Sequence, residues 1–354
     1  MKRTLLIIFS ALILTAFFFS CGRQTGDPNG ILIVANKSGN DVYFIDQASG
    51  AVLAALPAGL EPHEVEVSGD GRLAVVCNYG DRANPGNTLS VYDVQKAERI
   101  RTIGLGRHTR PHGMHWLAGT KNMLVTTEGS RHLLVLDMEK GEIVKVLNTE
   151  QDVSHMVTAT PDNRRAFVSS IRTGNITVFD LESGELLAQL YSGRGAEGLD
   201  VTPDGKELWV TNRAENTIAI FDTESLKRLA TLDCADFPIR AKFSPDGKYF
   251  LVSNARSGDV AVFDAARRVR LAAVRMTPPV PDEEDPERYF AEFEGTSVPI
   301  GLVVPDNRFA YVANTRSDAV TVISLETFEI LRHFKAGQEP DGIHFSSLRP
   351  VGKK

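Results

Sequence analysis

Cysteine is scarce in this sequence, and the short motifs that would reveal an enzyme class are missing. The chain has 3 cysteines in 354 residues. It contains no Cys-x-x-Cys-His segment for covalent haem, no Gly-x-Ser-x-Gly nucleophile elbow, no phosphate-binding glycine loop and no His-Glu-x-x-His zinc motif. A Ser/His/Asp triad cannot be assembled from residues close together in the sequence. Any activity must therefore come from residues that the fold brings together.

An excess of positive charge is missing too. The formal net charge is −6 at pH 7, and the isoelectric point is about 5.8. Binding to nucleic acids depends on clustered lysines and arginines that neutralise phosphates, so no nucleic-acid partner is expected. With 42% hydrophobic and 24% charged residues, the composition is that of a globular protein with a large core.

The first twenty residues contain the long apolar run of the chain. Lys2 and Arg3 precede an apolar stretch from Leu5 to Phe19, which ends at Ser20-Cys21. A stretch of roughly 15 residues has the length of a signal-peptide core and is short for a membrane-spanning helix. We therefore predict a signal peptide at 1–20 and a location in the cell envelope.

Phe18-Phe19-Ser20-Cys21 resembles the lipobox of bacterial lipoproteins, although Phe18 stands where those proteins usually have Leu. The resemblance implies cleavage before Cys21 and lipidation of its thiol. The protein would then be anchored by lipid alone on the periplasmic or outer face of a bacterial membrane. An ordinary cleaved signal with an incidental Cys21 is the alternative. The small and polar residues 21–30 are expected to form a tether.

A short strand-like segment recurs seven times along the chain. Each copy has mostly apolar residues and ends in Asn in five cases, with Thr127 and Ser170 at the same position in the other two. The five Asn-ended copies are Ile33–Asn36, Val75–Asn78, Trp209–Asn212, Leu251–Asn254 and Tyr311–Asn314. Five Asn residues in one register predict a structural role in the turn that follows, not a catalytic one.

Further strand-like segments complete each repeat. In six of the seven repeats an alternating run ends in Asp, as in Ile218–Asp222, and Pro-Asp-Gly turns occur at Pro203–Gly205 and Pro245–Gly247. Short alternating strands closed by such turns predict four-stranded antiparallel units. A period of roughly 42–47 residues is that of a propeller blade. Cys77 and Cys234 fall in distant repeats, so we expect no disulfide between them.

These repeats resemble those of YVTN-type β-propellers, and the Gly-His and Trp-Asp signatures of another common propeller repeat are absent. The resemblance implies an all-β, seven-bladed β-propeller of four-stranded antiparallel blades over residues 31–348, with a tail at 349–354. The chain enters at the second strand of the first blade and ends on an inner strand near 340–345. We therefore expect the N- and C-terminal strands to pair and close the ring, as a monomer.

Residues 276–299 interrupt the repeat. This segment is about 16 residues longer than its counterparts and is rich in proline and acidic residues. Asp285–Phe290 is predicted to begin a short helix. Because propeller insertions lie in the loops of one face, the segment is a candidate lid, and a solvated acidic loop without a role is the alternative.

The starts of the innermost strands supply a candidate site. The second residue of each strand occupies an equivalent position facing the central channel. These residues are His63, His112, His155, Glu197, Ile239, Ile300 and Asp341. Imidazole and carboxylate groups suit a divalent metal or acid–base chemistry, so His63, His112, His155 and Glu197 are the predicted metal ligands. Hydrogen bonding of each histidine to a neighbouring blade is the alternative.

Basic residues follow the Asn-ended strands and their equivalents: Lys37, Arg82, Arg131, Arg172, Arg213, Arg256 and Arg316. Guanidinium groups pair well with carboxylate and phosphate. We therefore predict that an anionic ligand is held by His63, Glu64, Arg172, Arg213, Arg256, Arg316 and Asp341. Plain solubility, or pairing with Asp41, Asp259 and Asp318, is the alternative.

Three functions fit these observations. The preferred one is an exported lipoprotein that binds a small anionic ligand or an envelope protein through this face. Resemblance to propeller lactonases implies a second, a hydrolase or lyase in which His112 or His155 is the general base, Glu197 its partner and Arg240 stabilises an oxyanion. Resemblance to propellers that hold haem d1 or copper implies a third, the handling of metal or haem.

Overall fold

The computed structural model describes residues 29–279, 288 and 290–352. These residues form seven four-stranded antiparallel sheets, which confirms the predicted seven-bladed β-propeller. The predicted signal peptide, Cys21 and nearly all of the tether lie outside the described residues. Among the described residues, no helix has the length and apolarity needed to cross a membrane.

The strand bounds follow the repeat. In chain order they are β1 Ile31–Asn36, β2 Asp41–Asp46, β3 Val52–Pro57, β4 Pro62–Val67, β5 Leu73–Gly80, β6 Pro85–Asp93, β7 Glu98–Gly104, β8 Pro111–Trp116, β9 Asn122–Thr127, β10 His132–Asp137, β11 Glu142–Asn148, β12 Ser154–Ala159, β13 Arg165–Ser170 and β14 Asn175–Asp180. They continue with β15 Leu186–Tyr191, β16 Ala196–Val201, β17 Glu207–Asn212, β18 Thr217–Asp222, β19 Arg228–Asp233, β20 Pro238–Phe243, β21 Tyr249–Asn254, β22 Asp259–Asp264, β23 Val269–Arg275, β24 Pro299–Val303, β25 Phe309–Asn314, β26 Ala319–Ser324, β27 Ile330–Lys335 and β28 Pro340–Ser346. Thr315–Ser317 forms one turn of 3-10 helix.

The ring closes through the two ends of the chain. Blade 1 has the strand order β28-β1-β2-β3, so its innermost strand comes from the C-terminus. Leu32 pairs with Phe345 and Val34 with Ile343 in an antiparallel register. Blades 2 to 7 each use four consecutive strands, from β4–β7 to β24–β27. This pairing leaves no unpaired inner edge in blade 1, as predicted.

Burial falls from the channel to the rim. Every residue of β1 is buried, whereas β15 alternates between half-buried and exposed residues because it is the outer strand of its blade. Between blades, large side chains interlock: the Trp209 ring lies 5.6 Å from that of Phe243 and 4.9 Å from that of Phe250. Burial of one such side chain contributes about 1.5–3 kcal/mol. Cys77 and Cys234 are both free, as predicted.

The repeated asparagines join neighbouring blades. The side-chain oxygen of Asn78 accepts a hydrogen bond from the backbone N–H of Gly59 at 2.9 Å, and its amide nitrogen donates to Thr88 Oγ1 at 2.9 Å. Asn36 accepts from the Gly337 N–H at 3.0 Å in the same way. The asparagines therefore have the structural role that their register predicts, and they fix the incoming loop as well as their own.

The described end of the insertion is packed against the propeller. Phe293 is buried, and its ring lies 5.0 Å from that of Phe237. Arg316 donates to the carbonyls of Phe293 at 2.9 Å and Ala291 at 3.3 Å. Residues 290–298 thus cover the start of blades 6 and 7. Residues 280–287 and 289, which include most of the predicted short helix, lie outside the described residues.

Candidate functional site

The starts of the innermost strands bring the predicted polar side chains together at one mouth of the channel. The His63 and His112 rings lie 5.3 Å apart, and the His112 and His155 rings 3.9 Å apart. Glu197 and Asp341 are almost completely buried, at 1% and 2% exposure. The remaining two positions, Ile239 and Ile300, pack instead with Phe293 and Val298. One side of this mouth is therefore polar and the other is apolar and covered.

His155 is held between two carboxylates. Its Nδ1 lies 2.5 Å from Glu128 Oε1, and its Nε2 lies 2.6 Å from Glu197 Oε1. Burial alone would lower the pKa of His155, but the two glutamates outweigh it and raise this pKa above the ordinary value. Both ring nitrogens of His155 bond to carboxylates in this structure, and its predicted role as a general base stays a prediction.

Glu197 is the centre of a buried ion-pair network. Its Oε1 also accepts from Arg240 Nη1 at 2.9 Å, and its Oε2 lies 2.9 Å from Arg213 Nη1. Burial would raise the pKa of Glu197, but His155 and the two arginines lower it to about 2. Arg240 also reaches across the channel to Glu64 Oε1, with Nε at 2.9 Å and Nη2 at 2.5 Å. Both glutamates thus bind the Arg240 guanidinium, and its predicted role in stabilising an oxyanion stays a prediction.

Glu128 and Tyr79 also belong to the candidate site, although the sequence analysis did not identify them. Glu128 Oε2 accepts a hydrogen bond from the Tyr79 hydroxyl at 2.5 Å. Tyr79 and Glu128 each come directly after the last residue of the Asn-ended strand or its equivalent. Lys37 and Arg213 are the residues that follow the same strand in blades 1 and 5. This register faces the channel mouth. Alignment on the strand end, instead of on the nearest basic residue, would have identified both.

A group of side chains that could hold a metal ion differs from the predicted set of His63, His112, His155 and Glu197. His112, Glu128 and His155 each place a ligand atom within 4.8 Å of the others. Glu128 takes the place predicted for Glu197, whose oxygens are occupied by His155 and two arginines. His63 lies beside the group, but its ring stacks on Tyr79 at 4.2 Å and its Nδ1 lies 2.9 Å from the Glu61 carbonyl.

His63 and His112 differ from His155 in charge. Burial is the main cause that holds the pKa of each well below the ordinary value, and neighbouring cations act in the same direction. Both are therefore neutral at pH 7. His112 Nδ1 is buried and has no hydrogen-bond partner in the described part of the chain.

Asp341 is a second buried carboxyl group at the mouth of the channel. Asp341 Oδ1 has no hydrogen-bond partner among residues 29–279, 288 and 290–352. Burial and the nearby Glu64 carboxylate raise the pKa of Asp341 to about 7, although Arg240 and Lys37 act against them. Asp341 thus lies beside the ion pairs of the mouth without joining them.

The predicted anion-binding arginines divide into two groups. Arg172 and Arg213 line the mouth, as predicted. Arg256 instead lies 4.5 Å above the Phe293 ring, and Arg316 is buried in bonds to the backbone of the insertion. The insertion therefore holds Arg256 and Arg316, and neither of them lines the cavity that Arg172 and Arg213 line.

At the polar mouth an open cavity of about 610 Å³, here called the funnel, leads to the three histidines. Its cationic lining residues are Lys37, Arg82, Arg110, Arg172 and Arg213, and its acidic ones are Glu61, Asp81 and Glu128. Arg110 lies 5.0 Å above the Tyr79 ring. A protein with a net charge of −6 thus has a locally cationic funnel.

Fold and site together define a seven-bladed β-propeller with a buried His/Glu/Arg network below a cationic funnel. Over residues 118–234 the chain matches the sequence model of the Cytochrome D1 heme domain family. This match covers roughly a third of the chain, from β9 to β19, and includes His155, Glu197 and Arg213. No curated protein sequence matches the chain.

Two solved structures share the fold. A chain of Kuenenia stuttgartiensis hydrazine synthase is 21% identical, with a TM-score of 0.67, and the match covers 87% of this chain and 99% of that one. A functionally unknown protein from Desulfotomaculum acetoxidans DSM 771 is 14% identical, with a TM-score of 0.73, over 91% of this chain and 99% of that one. At these identities the likeness concerns the fold alone.

The funnel does not fit a haem. A tetrapyrrole ring needs apolar surfaces against its two faces, whereas Val153 and Ile171 are the only aliphatic side chains of the described residues that line the funnel. We therefore derive no function through a haem group.

Proposed function

We propose that this propeller is a binding protein for a small anionic ligand, one that carries a carboxylate or phosphate group and enters the funnel. The observation that carries the proposal is the charge of the funnel, where five cations face three acidic residues in an otherwise acidic protein. Its volume of about 610 Å³ suits a small molecule.

Two arginines are available at the entrance. Arg82 and Arg172 are exposed, and no carboxylate of the described residues lies within ion-pair distance of Arg82. Arg172 has one weak partner, Asp152, at 3.5 Å. Below them Arg213 and Arg240 are committed to Glu197. The outer arginines therefore attract and orient the anion, while the inner ones keep the network in place.

Calorimetric titration with succinate and with inorganic phosphate, on chelator-treated protein, tests this proposal. We expect the wild type to bind at least one of them, and the double variant Arg82→Glu/Arg172→Glu to bind it at least tenfold more weakly. The matched control, Arg267→Glu/Arg270→Glu, changes two exposed arginines on the rim of blade 6 and should bind as the wild type does. Absence of binding, or equal loss in both variants, would refute the proposal.

A hydrolase similar to propeller lactonases is the second candidate. The observation that favours it is His112, which is neutral, buried and has a free Nδ1 beside a cationic funnel. In that case His112 is the general base and the funnel cations stabilise the developing oxyanion. A lactone and ester screen with the wild type and with His112→Ala distinguishes the two functions, since a binding protein turns over no substrate.

We also propose that the protein is exported and lipid-anchored through Cys21, on the strength of its N-terminal sequence. Cys21→Ser tests this in bacterial cells fed labelled palmitate. The wild type should incorporate label and fractionate with membranes, and the variant should do neither. Equal labelling of both proteins would show that Cys21 is not the lipidated residue.

A further inference from the structure

We infer that His112, Glu128 and His155 form a binding site for a divalent transition metal ion at the base of the funnel. This inference goes beyond the proposed function, since it concerns a second ligand with its own residues. The three side chains come from the start of β8, the end of β9 and the start of β12, so adjacent blades 3 and 4 build the site. Their ligand atoms lie within 4.8 Å of one another.

His112 contributes a buried polar atom without a partner among the described residues. His112 is 97% buried, and its Nδ1 has no hydrogen-bond partner in the described part of the chain. Leaving a buried polar atom unsatisfied is costly, and native proteins rarely do so without a reason. The His112 ring lies 3.9 Å from that of His155. A metal ion held with Glu128 and His155 would bind a nitrogen of this buried ring.

Residues around this group orient two of its three ligands. His155 Nε2 bonds to Glu197 Oε1 at 2.6 Å, and its Nδ1 faces Glu128 Oε1 at 2.5 Å. An ion bound here would replace the proton shared by Nδ1 and Glu128, which would be released to solvent. A carboxylate on the far nitrogen orients a metal-bound histidine and makes it a stronger ligand. Tyr79 similarly holds the second oxygen of Glu128 at 2.5 Å. Outer partners therefore fix two of the three ligands before any ion arrives.

The ligand atoms indicate which ions fit. Two imidazoles and one carboxylate suit Zn²⁺, Co²⁺ or Ni²⁺ better than Mg²⁺ or Ca²⁺, which prefer oxygen ligands. Three protein ligands leave a fourth position open towards the funnel. Arg240 lies near this site, but Glu64 and Glu197 neutralise its charge. All three ligand residues line the funnel, so an anion held there would share the cavity with the ion.

Titration of metal-free protein with Co²⁺ and Zn²⁺, in the absence of any anionic ligand, tests the inference. Cobalt should give visible absorption bands at one ion per chain, and zinc should displace it. His112→Ala and Glu128→Gln should each weaken binding at least a hundredfold while keeping the circular dichroism spectrum of the wild type. Absence of binding to the wild type, or unchanged binding in both variants, would overturn the inference.

A second histidine pair provides the matched control. The His108 and His132 rings lie 5.0 Å apart, and His132 Nδ1 is also buried without a partner among the described residues. In the described part of the chain, no carboxylate completes a metal-binding group with this pair. His132→Ala should leave cobalt binding unchanged, and if it abolishes the bands the site has been placed wrongly. Since anion binding is measured on metal-free protein, either proposal can fail while the other stands.

Discussion

At the scale of single residues, we expect the buried Glu197 carboxylate to contribute strongly to the stability of the fold. It lies between His155, Arg213 and Arg240 at 1% exposure. Glu197→Gln keeps the size of the side chain but removes the charge, so two arginines lose a buried partner. We expect a loss of about 3–5 kcal/mol in the free energy of unfolding, measured by urea denaturation.

Glu215→Gln is the control for this change. Glu215 pairs at 3.3 Å with Arg194, whose side chain is 73% exposed, and such surface pairs contribute less than about 1 kcal/mol. Similar losses in the two variants would mean that the Glu197 network does not stabilise the fold as described.

Asp341 gives a prediction about pH. Its pKa is raised to about 7 from 3.8, so the folded protein keeps a proton that the unfolded chain releases. Stability is therefore lost as pH rises from about 4 to about 7. Glu64 on β4 opposes its ionisation, whereas Arg240 on β20, Lys37 after β1 and His155 on β12 favour it.

Asp341→Asn cannot ionise and should escape this loss. Relative to the wild type, its free energy of unfolding should rise by on the order of 4 kcal/mol between pH 4 and pH 8. Urea denaturation at pH 4, 6 and 8 measures this, with the exposed Asp233→Asn as control. A difference that does not change with pH would contradict the prediction.

At the scale of strands, glycines set how closely the innermost strands approach each other around the channel. Gly113, Gly198, Gly301 and Gly342 occupy the third position of four innermost strands, where a methyl group would strike the backbone of the next innermost strand. At Gly301 the added carbon would lie only 1.9 Å from the Asp341 carbonyl oxygen. The glycines thus allow the strands to approach each other around the ring.

Gly301→Ala should therefore destabilise the protein by about 1–3 kcal/mol or more, because the strand must shift outward. Thermal and urea unfolding measure the effect. Gly104→Ala, at a strand end where nothing lies within 4 Å of the added carbon, is the control and should change stability little. If the two substitutions cost the same, close approach at the channel is not what requires glycine.

At the scale of the whole molecule, closure depends on β28. Deletion of residues 340–354 removes the innermost strand of blade 1 and exposes the edge of β1. We expect this variant to lose cooperative unfolding and to aggregate. Deletion of 351–354 removes one backbone hydrogen bond, from Val351 to Gln95, and should leave the melting temperature nearly unchanged. A folded, monomeric 1–339 chain would contradict the closure.

The sequence predicted the fold more fully than the site. Seven copies of an alternating strand pattern determine blades because each strand must bury one face, and that constraint is visible in every repeat. The convergence of His112 and His155 followed from the same register. Glu128 was not identified because the loops were aligned on their nearest basic residue and not on the end of the preceding strand. The roles of Arg256 and Arg316 depend on the insertion, which has no counterpart in the other repeats.

The central claim is that the funnel receives an anion, and a crystal soaked in selenate tests it most directly. Anomalous diffraction at the selenium edge locates this phosphate-like anion. We expect an anomalous selenium peak inside the funnel, where selenate would lie within hydrogen-bonding distance of the Arg82 or Arg172 guanidinium. Selenate bound only elsewhere on the propeller, with the funnel empty at saturating concentration, would contradict it.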